Sequence, residues 1–318
     1  MGWAYRLAGP GQVERVEAAT GQRELQPGEI RLKFRAGGLC GSDLPVLRGH
    51  PGKYRGSYHG GAPLHELAGE VTESASEKFQ VGDRVIGTGA KEAGLAEDFV
   101  EADNRFIHVP EGMTYSEAIP IQSIGTVLRV IDDFPDFQGA RVAVIGAGPI
   151  GLAFVHALRH RGAGHITAID PVDHRGVALA YGADEYVQLH SRTWSAQLDE
   201  ADRPQLIVEA VGHQVSTIPN AIRAAATGAY IFGFGMPDED DFVIPYLEMY
   251  QRGLTLASGN TLGGWEEVLA AGRDYVLEHR DDFRGYVTHS VPVERAQEAY
   301  SLFLNPRADR LKVTMTND

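Results

Sequence analysis

The first hundred or so residues alternate short apolar stretches with turns rich in glycine, proline and aspartate. This pattern is typical of short strands. The predicted strands lie in EIRLKFRAGG (29–38), GEVTES (69–74), DRVIGTG (83–89), AEDFVEAD (96–103) and FIHVP (106–110). In residues 114–134 the apolar positions follow helical spacing, with Thr114 or Ser116 as a candidate N-cap and Pro120 as an interruption.

From Arg141 onward, predicted strands alternate with predicted helices. RVAVIG (141–146) indicates a buried strand, residues 149–162 a helix, HITAID (165–170) a strand and residues 173–181 a helix. Further strands are predicted in EYVQL (185–189), QLIVEAVG (205–212), AYIFGFG (229–235) and LTLASG (254–259). Their spacing leaves room for crossover helices, so this half of the chain predicts an α/β protein with a doubly wound parallel sheet.

The last part of the chain returns to a β-rich pattern. It predicts a strand in YVTHSVP (286–292), a helix over residues 294–304 and a strand in LKVTMT (311–316). We therefore predict two domains, a β-rich domain built from residues 1–115 and 281–318 and a dinucleotide-binding domain over residues 116–280.

Composition narrows the class of protein. A net charge of −14 argues against binding to nucleic acid or to an anionic membrane surface. The single cysteine of the 318 residues excludes an internal disulfide and a four-cysteine zinc site. The longest uncharged run, residues 142–158, is shorter than the roughly 20 residues that a membrane span needs. These features lead us to expect a cytoplasmic protein without a membrane segment.

A glycine-rich turn follows the first strand of the second half. GAGPIG (146–151) has the form G-x-G-x-x-G between a strand and a helix, and Asp170 follows 19 residues later. The glycines allow a tight turn and close approach of a pyrophosphate, and a carboxylate there accepts hydrogen bonds from the ribose hydroxyls. This predicts NAD as cofactor, although Arg175 would be able to reach a phosphate. The predicted cofactor-binding residues are Gly146, Gly148, Pro149, Ile150, Gly151, Asp170 and Arg175.

The single cysteine raises a second question of chemistry. Cys40 is followed 25 residues later by His65 and Glu66. Thiolate, imidazole and carboxylate are the groups that zinc accepts. By residue type alone, a cysteine of the core and a hydrogen-bonded surface histidine are the better explanation.

The order of several motifs carries a resemblance. GLCGSD (38–43), HELAGEV (65–71), VGDRVIG (81–87) and GAGPIG followed by AID (168–170) resemble the medium-chain dehydrogenase/reductase family, in particular its zinc-dependent alcohol and polyol dehydrogenases. The resemblance implies a GroES-like catalytic domain formed by both ends of the chain, with a Rossmann domain between them.

The same resemblance implies roles for individual residues. Cys40 and His65 match two ligands of a catalytic zinc ion, and Glu66 matches an acid close to the metal. Ser42 matches the hydroxyl that takes the substrate proton, and Asp43 matches the acid that orients the ligand histidine. Thr126 matches a threonine that packs on the nicotinamide, and Gly233 lies in FGFG (232–235) at the end of a strand, where such sheets bind ligands.

Three positions depart from the family pattern. Gln122 stands where the third zinc ligand is usually cysteine or glutamate. In having glutamine there, the chain resembles the archaeal glucose dehydrogenases of the family. Pro45 replaces a histidine that often relays the proton. The segment 85–99 is too short to form a cysteine-rich lobe and holds no cysteine. We therefore expect one catalytic zinc ion per chain and no structural zinc.

The segment between the two ligand motifs indicates the substrate class. Residues 47–63 contain five basic or histidine side chains, two tyrosines and no acid. They fit either a solvated loop or a pocket for a polar substrate such as a polyol, sugar or cyclitol.

We expect an enzyme that transfers a hydride between NAD and a secondary alcohol of such a small molecule, and that forms a homodimer or homotetramer. The alternatives are a zinc-free NAD(P)H-dependent quinone or enone reductase on the same fold, and a non-catalytic dinucleotide-binding protein.

Overall fold

The computed structural model describes residues 2–18, 23–49, 62–90, 94–259 and 263–317. These residues form two compact units. The first comprises Met1–Thr126, Leu262–Pro306 and Arg310–Asp318, and the second comprises Val127–Thr261 and Arg307–Asp309. The chain thus leaves the first unit and returns to it, as the β-rich pattern at both ends predicts. The predicted domain limits, 115/116 and 280/281, lie at other positions along the chain than the limits of these units.

Strands and short helices form the amino-terminal part of the first unit. The strands are β1 (Gly2–Gly9), β2 (Gln12–Ala18), β3 (Glu29–Gly38), β4 (Glu66–Ser74), β5 (Arg84–Thr88), β6 (Asp98–Ala102) and β7 (Phe106–His108). The helices are α1 (Leu44–Leu47), α2 (Tyr115–Ala118) and α3 (Pro120–Ile131), the last of which continues into the second unit.

The second unit alternates strands with helices. Its strands are β8 (Arg141–Ile145), β9 (His165–Ile169), β10 (Glu185–Val187), β11 (Leu206–Glu209), β12 (Tyr230–Gly233) and β13 (Thr255–Ser258). Its helices are α4 (Pro149–His160), α5 (Arg175–Ala180), α6 (Ser191–Gln197), α7 (Thr217–Ala224) and α8 (Tyr246–Arg252). All strand pairs are parallel, in the order β10-β9-β8-β11-β12-β13. The prediction of a doubly wound parallel sheet is confirmed.

The chain completes the first unit with α9 (Trp265–Glu278), β14 (Val287–Pro292), α10 (Ala296–Leu304) and β15 (Lys312–Thr316). β15 pairs antiparallel with β3, so the last strand lies directly beside the segment that leads to Cys40. The sheet runs β14-β15-β3-β4-β5-β7, and β6 pairs with β3 as well. A core of apolar side chains that includes Leu32, Phe34 and Leu67 holds this sheet together.

The helical stretch that begins at Thr114 is divided into two helices. The Thr114 side chain accepts a hydrogen bond from the backbone amide of Glu117, whose carboxylate accepts one from the Thr114 amide in return. This capping box starts α2 and confirms Thr114 as the N-cap. Proline lacks the amide hydrogen that a continuous helix needs, and α3 accordingly begins at Pro120. The predicted interruption is therefore confirmed.

Candidate active site

Cys40 lies in the turn that follows β3. It begins a single 3₁₀ turn (Gly41–Asp43) that leads into α1, and its thiol is free and half-buried. The turn reverses the chain, so that the cysteine and Asp43 approach the residue that precedes β4, His65. A half-buried thiol beside an imidazole is chemically accessible, unlike a cysteine enclosed in an apolar core.

One buried carboxylate orients both of the predicted ligands. Asp43 is fully buried. Its Oδ1 accepts a hydrogen bond from Nδ1 of His65 at 2.9 Å, and its Oδ2 accepts one from the backbone amide of Cys40 at 2.9 Å. Because Nδ1 is engaged by Asp43, Nε2 is the ring nitrogen left for a metal, and it lies 3.5 Å from Oγ of Ser42.

The charges of this cluster act strongly on His65. Burial alone would lower the pKa of the imidazole, but the charge and hydrogen bond of Asp43, with a further contribution from Cys40, raise it well above its usual value. A raised pKa favours the protonated imidazole, and a protonated imidazole competes with a metal ion for the ring nitrogen.

Glu66 forms a buried ion pair with a residue from the other end of the unit. Nζ of Lys312, at the start of β15, donates to Oε1 of Glu66 at 2.5 Å, and both side chains are excluded from solvent. Oε2 of Glu66 is also buried and has no hydrogen-bond partner among the described residues. It lies against Gly38, where a Cβ atom would come within 2.2 Å of Oε2. Glycine at this position therefore leaves the space that the carboxylate occupies.

The ligand atoms of Cys40, His65 and Glu66 all lie within 4.8 Å of one another. A thiolate, an imidazole nitrogen and a carboxylate oxygen suit zinc, and the unpartnered Oε2 of Glu66 supplies a buried acceptor for a cation. The residues present therefore fit a zinc ion, which these three side chains would hold.

The residues predicted on α3 lie in its first turns and are buried. Gln122 is 4% exposed. Thr126 is buried one turn later, and its hydroxyl donates to the carbonyl of Ser123 at 2.7 Å. The separation of four residues places Gln122 and Thr126 on nearly the same face of α3. A metal contact of Gln122 and a cofactor contact of Thr126 stay predictions.

The glycine-rich turn of the second unit has the geometry that its motif predicts. Gly146 has φ +97°, a conformation that favours glycine. A Cβ atom on Gly151 would lie 1.7 Å from the carbonyl oxygen of Gly146, whereas one on Gly148 would meet no atom within 4 Å. Gly151 is therefore required for the turn itself, and Gly148 leaves open space beside it. Pro149 begins α4 and Ile150 lies in its first turn, and the backbone amides at the start of a helix are donors that an anion can use.

Asp170, directly after β9, is hydrogen-bonded to the same turn. Its Oδ2 accepts from the backbone amide of Ala147 at 2.8 Å, and its Oδ1 accepts from that of Val172 at 2.8 Å. Arg175 begins α5, and its exposed guanidinium lies over the ring of Tyr186, 5.5 Å from the ring centroid. Gly233 ends β12 at the same edge of the sheet.

Most of the basic segment that we interpret as a substrate pocket lies outside the described residues. This includes His50, Lys53, Arg55 and His59, whereas Arg48 is described and exposed.

Comparison with protein families matches both halves of the chain. Residues 26–113 match the GroES-like domain of alcohol dehydrogenases, and residues 149–274 match the zinc-binding dehydrogenase domain. The first match contains the Cys40–Glu66 cluster and the second begins at the glycine-rich turn. The chain belongs to the zinc-type medium-chain dehydrogenase family. It is therefore an oxidoreductase, and at the level of the family a dehydrogenase.

Two relatives align with most of this dehydrogenase. The starvation-sensing protein RspB of Escherichia coli K12 is 27% identical over 327 residues, which cover 91% of this chain and 92% of RspB. The D-altritol 5-dehydrogenase of Agrobacterium fabrum is 29% identical over 278 residues, which cover 75% of this chain and 79% of that enzyme. Among solved structures, the rspB alcohol dehydrogenase of Escherichia coli CFT073 complexed with NADH has a TM-score of 0.80, at 22% identity and 99% coverage of both chains.

No helix in the described part of this dehydrogenase is both long and apolar enough to cross a membrane.

Sequence analysis missed one residue that the dehydrogenase fold brings to the cluster. Lys312 is 2% exposed and is the ion-pair partner of Glu66. It stands in an ordinary strand pattern far along the chain from the ligands. Only the pairing of β15 with β3 indicates that Lys312 belongs to the site.

Proposed function

We propose that this protein is a zinc-dependent, NAD-linked dehydrogenase that oxidises a secondary alcohol of a small, polar, hydroxylated molecule. The observation that carries the proposal is the two hydrogen bonds that the Asp43 carboxylate accepts, one from the backbone amide of Cys40 and one from the imidazole of His65. They hold these two residues in one cluster with Glu66. Such outer support is typical of metal ligands and has no evident purpose for an ordinary buried cysteine.

Each residue of the cluster has a defined part in this reaction. Cys40, His65 and Glu66 bind the metal, with Gln122 as a further ligand. Ser42 accepts the proton of the substrate hydroxyl at Oγ and passes it on by hydrogen bonds, since Pro45 cannot relay it. When bound, the zinc ion lowers the pKa of the substrate hydroxyl and the nicotinamide takes up the hydride.

The second unit binds the cofactor in this proposal. The open space beside Gly148 admits the pyrophosphate, and the amides at the start of α4 bind it. Asp170 follows β9, where the ribose of a bound dinucleotide would lie, and its carboxylate would repel a 2′-phosphate, which favours NAD over NADP.

Two features support a polar substrate. The segment 47–63 is rich in basic, histidine and tyrosine side chains without an acid. The relative from Agrobacterium fabrum is named for D-altritol, a polyol. An apolar alcohol would not require polar contacts of this kind.

Metal analysis and an alcohol panel test the proposal. We expect one zinc ion per chain and reduction of NAD with one or more polyols, sugars or cyclitols. His65→Ala and Cys40→Ala should lose the zinc and the turnover but keep NAD binding.

A matched control for His65→Ala is His108→Ala, which removes an exposed histidine that bonds Asp83 at 3.2 Å in the same unit. It should keep both the zinc and the activity. Zinc-free wild-type protein that reduces quinones or enones would instead establish the reductase alternative.

A further inference from the structure

His213 and Asp238 form a hydrogen-bonded pair beyond the carboxyl ends of two neighbouring strands of the second unit. Nδ1 of His213 donates to Oδ1 of Asp238 at 2.7 Å, and the two side chains are only 11% and 13% exposed. His213 lies in the turn after β11 and Asp238 in the segment after β12. Buried polar side chains are normally hydrogen-bonded, and here the bond joins two separate turns of the chain.

The turn after β11, residues 210–213, has an uncommon backbone form. The amide of His213 donates to the carbonyl of Val211 at 2.9 Å, and Gly212 between them has φ +72°. This is the classic γ-turn, which is rare and persists where its surroundings hold it in place. Glu209 helps to hold it, because its Oε1 accepts from the amides of Val211 and Gly212 at 3.0 and 2.9 Å.

This turn packs, backbone against backbone, on the segment after β12, residues 234–238. A Cβ atom on Gly212 would lie 2.3 Å from the carbonyl carbon of Gly235, and one on Gly235 would lie 2.2 Å from the amide nitrogen of Gly212. The hydrogen bond from His213 to Asp238 therefore links two segments whose backbones are already in contact.

The same turn also lies against the glycine-rich turn after β8. A Cβ atom on Gly146 would lie 2.8 Å from Cγ2 of Val211, and the amide of Ala210 donates to the carbonyl of Ile145 at 2.8 Å. In the sheet, the order of the strands reverses between β8 and β11. Doubly wound sheets bind dinucleotides in the crevice at this reversal, so the turn after β11 forms one side of that crevice.

The two halves of a bound dinucleotide would lie on opposite sides of β8. In the proposed function the pyrophosphate lies at the start of α4, and the ribose of the adenosine half lies at Asp170, directly after β9. The strand order is β9-β8-β11-β12, so the nicotinamide half would extend the other way, over the carboxyl ends of β11 and β12. There it would meet the two segments that His213 and Asp238 join.

We infer that His213 and Asp238 are positioning residues for the nicotinamide half of the cofactor. Their hydrogen bond holds the turn after β11 and the segment after β12 in one arrangement before the cofactor arrives. Binding then does not have to order these segments, and affinity rises because that entropic cost is avoided. This inference rests on the dinucleotide site of the proposed function.

Loss of the pair should weaken binding of the whole cofactor but not of its adenosine half. His213→Ala and Asp238→Ala should each weaken NADH binding by about tenfold or more, the scale of a lost hydrogen bond to a charged group. The double variant should bind NADH no more weakly than either single variant, because both side chains serve one contact. ADP, which lacks the nicotinamide half, should bind equally well to all of them.

Two further variants serve as controls. His213→Asn places an amide nitrogen where Nδ1 lies and can still donate to Asp238, so it should bind NADH nearly as tightly as wild type. Asp240→Ala removes an exposed acid close to Asp238 in the chain and should change the affinity for neither ligand. Titration calorimetry with NADH and with ADP measures both affinities, and the melting temperatures of the ligand-free variants are recorded alongside.

The outcomes separate the two proposals. Wild-type protein that binds neither NADH nor NADPH would overturn the proposed function and this inference together. Wild-type protein that binds NADH, with His213→Ala and Asp238→Ala variants that bind it equally well, would overturn the role of the pair alone. Weaker binding of both NADH and ADP in these variants, with a lower melting temperature, would show that the pair stabilises the fold of the unit instead.

Discussion

A substitution of Ser42 can distinguish a role in proton transfer from a role in metal binding. Its Oγ lies 3.5 Å from Nε2 of His65, within reach of a group bound beside that nitrogen. Ser42→Ala should lower turnover by about 10²–10⁴-fold, the range of a lost acid–base step, and leave zinc content and NAD affinity unchanged. Steady-state kinetics with metal analysis of the same samples measure this. Loss of zinc from Ser42→Ala would mean that the hydroxyl supports the metal site instead.

Gln122 is one of the three positions at which the sequence departs from the pattern of the family that it resembles. A neutral amide is a weaker zinc ligand than a carboxylate and leaves the metal more electron-poor. Gln122→Glu should therefore hold zinc more firmly against a chelator and raise the pH at which turnover is half-maximal, since the added negative charge opposes loss of the substrate proton.

Chelator kinetics and pH profiles of Gln122→Glu and Gln122→Ala check this expectation. If both variants match wild type in both measurements, Gln122 is not a ligand.

Two glycines of the turn between β8 and α4 allow the effect of a substitution on stability to be separated from its effect on NAD binding. A methyl group at position 151 would collide with the Gly146 carbonyl, so Gly151→Ala should lower the melting temperature. A methyl group at position 148 meets nothing in the protein but occupies the space predicted for the pyrophosphate. Gly148→Ala should keep the melting temperature and weaken NAD binding by about tenfold or more, which corresponds to about 1.4 kcal/mol. Calorimetry of both variants, with and without NAD, measures this. Unchanged NAD affinity in Gly148→Ala would place the cofactor elsewhere.

The end of β9 sets the choice between NAD and NADP. Asp170→Ser should weaken NAD binding and improve the relative use of NADP, because it removes a negative charge that repels a 2′-phosphate. Asp173→Ser is the matched control, since that aspartate is exposed and its side chain caps only the Arg175 amide. The kcat/KM ratio for the two cofactors measures the effect, and a wild-type preference for NADP would contradict it.

Secondary structure was predictable where local pattern determines it. β3 spans the residues that EIRLKFRAGG indicates, because its strand-forming residues end at a pair of glycines. The hairpin of β1 and β2 was not predicted, because much of β2 is exposed and its sequence, QVERVEA, carries little apolar signal. The metal cluster was predictable at Cys40 and His65, whose motifs are local. Lys312 was not, since a lysine at the start of a strand ordinarily points its amine to solvent.

At the scale of the molecule, the second unit has an apolar surface that a second copy would cover. Large side chains on and before α8 are mostly exposed, namely Val243 (91%), Tyr246 (66%), Leu247 (66%) and Tyr250 (74%). β13 of the same unit pairs on one side only among the described strands, so it can extend the sheet across a two-fold axis.

We predict a homo-oligomer formed through this surface. Leu247→Glu with Tyr250→Glu should give monomers at concentrations at which wild type sediments as a dimer or tetramer, because a carboxylate buried at an apolar contact is strongly unfavourable. Val81→Glu is the control, since Val81 is exposed (67%) in the other unit. Monomeric wild-type protein would contradict the prediction.

The ion pair of Glu66 and Lys312 has a consequence for the order of events during synthesis. The two residues are separated by 246 positions, and the whole of the second unit is translated between them. That unit can fold while the ribosome is still at work, whereas Glu66 gains the cation that its burial calls for only when Lys312 has been synthesised. The complete site, with Lys312 beside Glu66, can therefore assemble only after the whole dinucleotide-binding half has been translated.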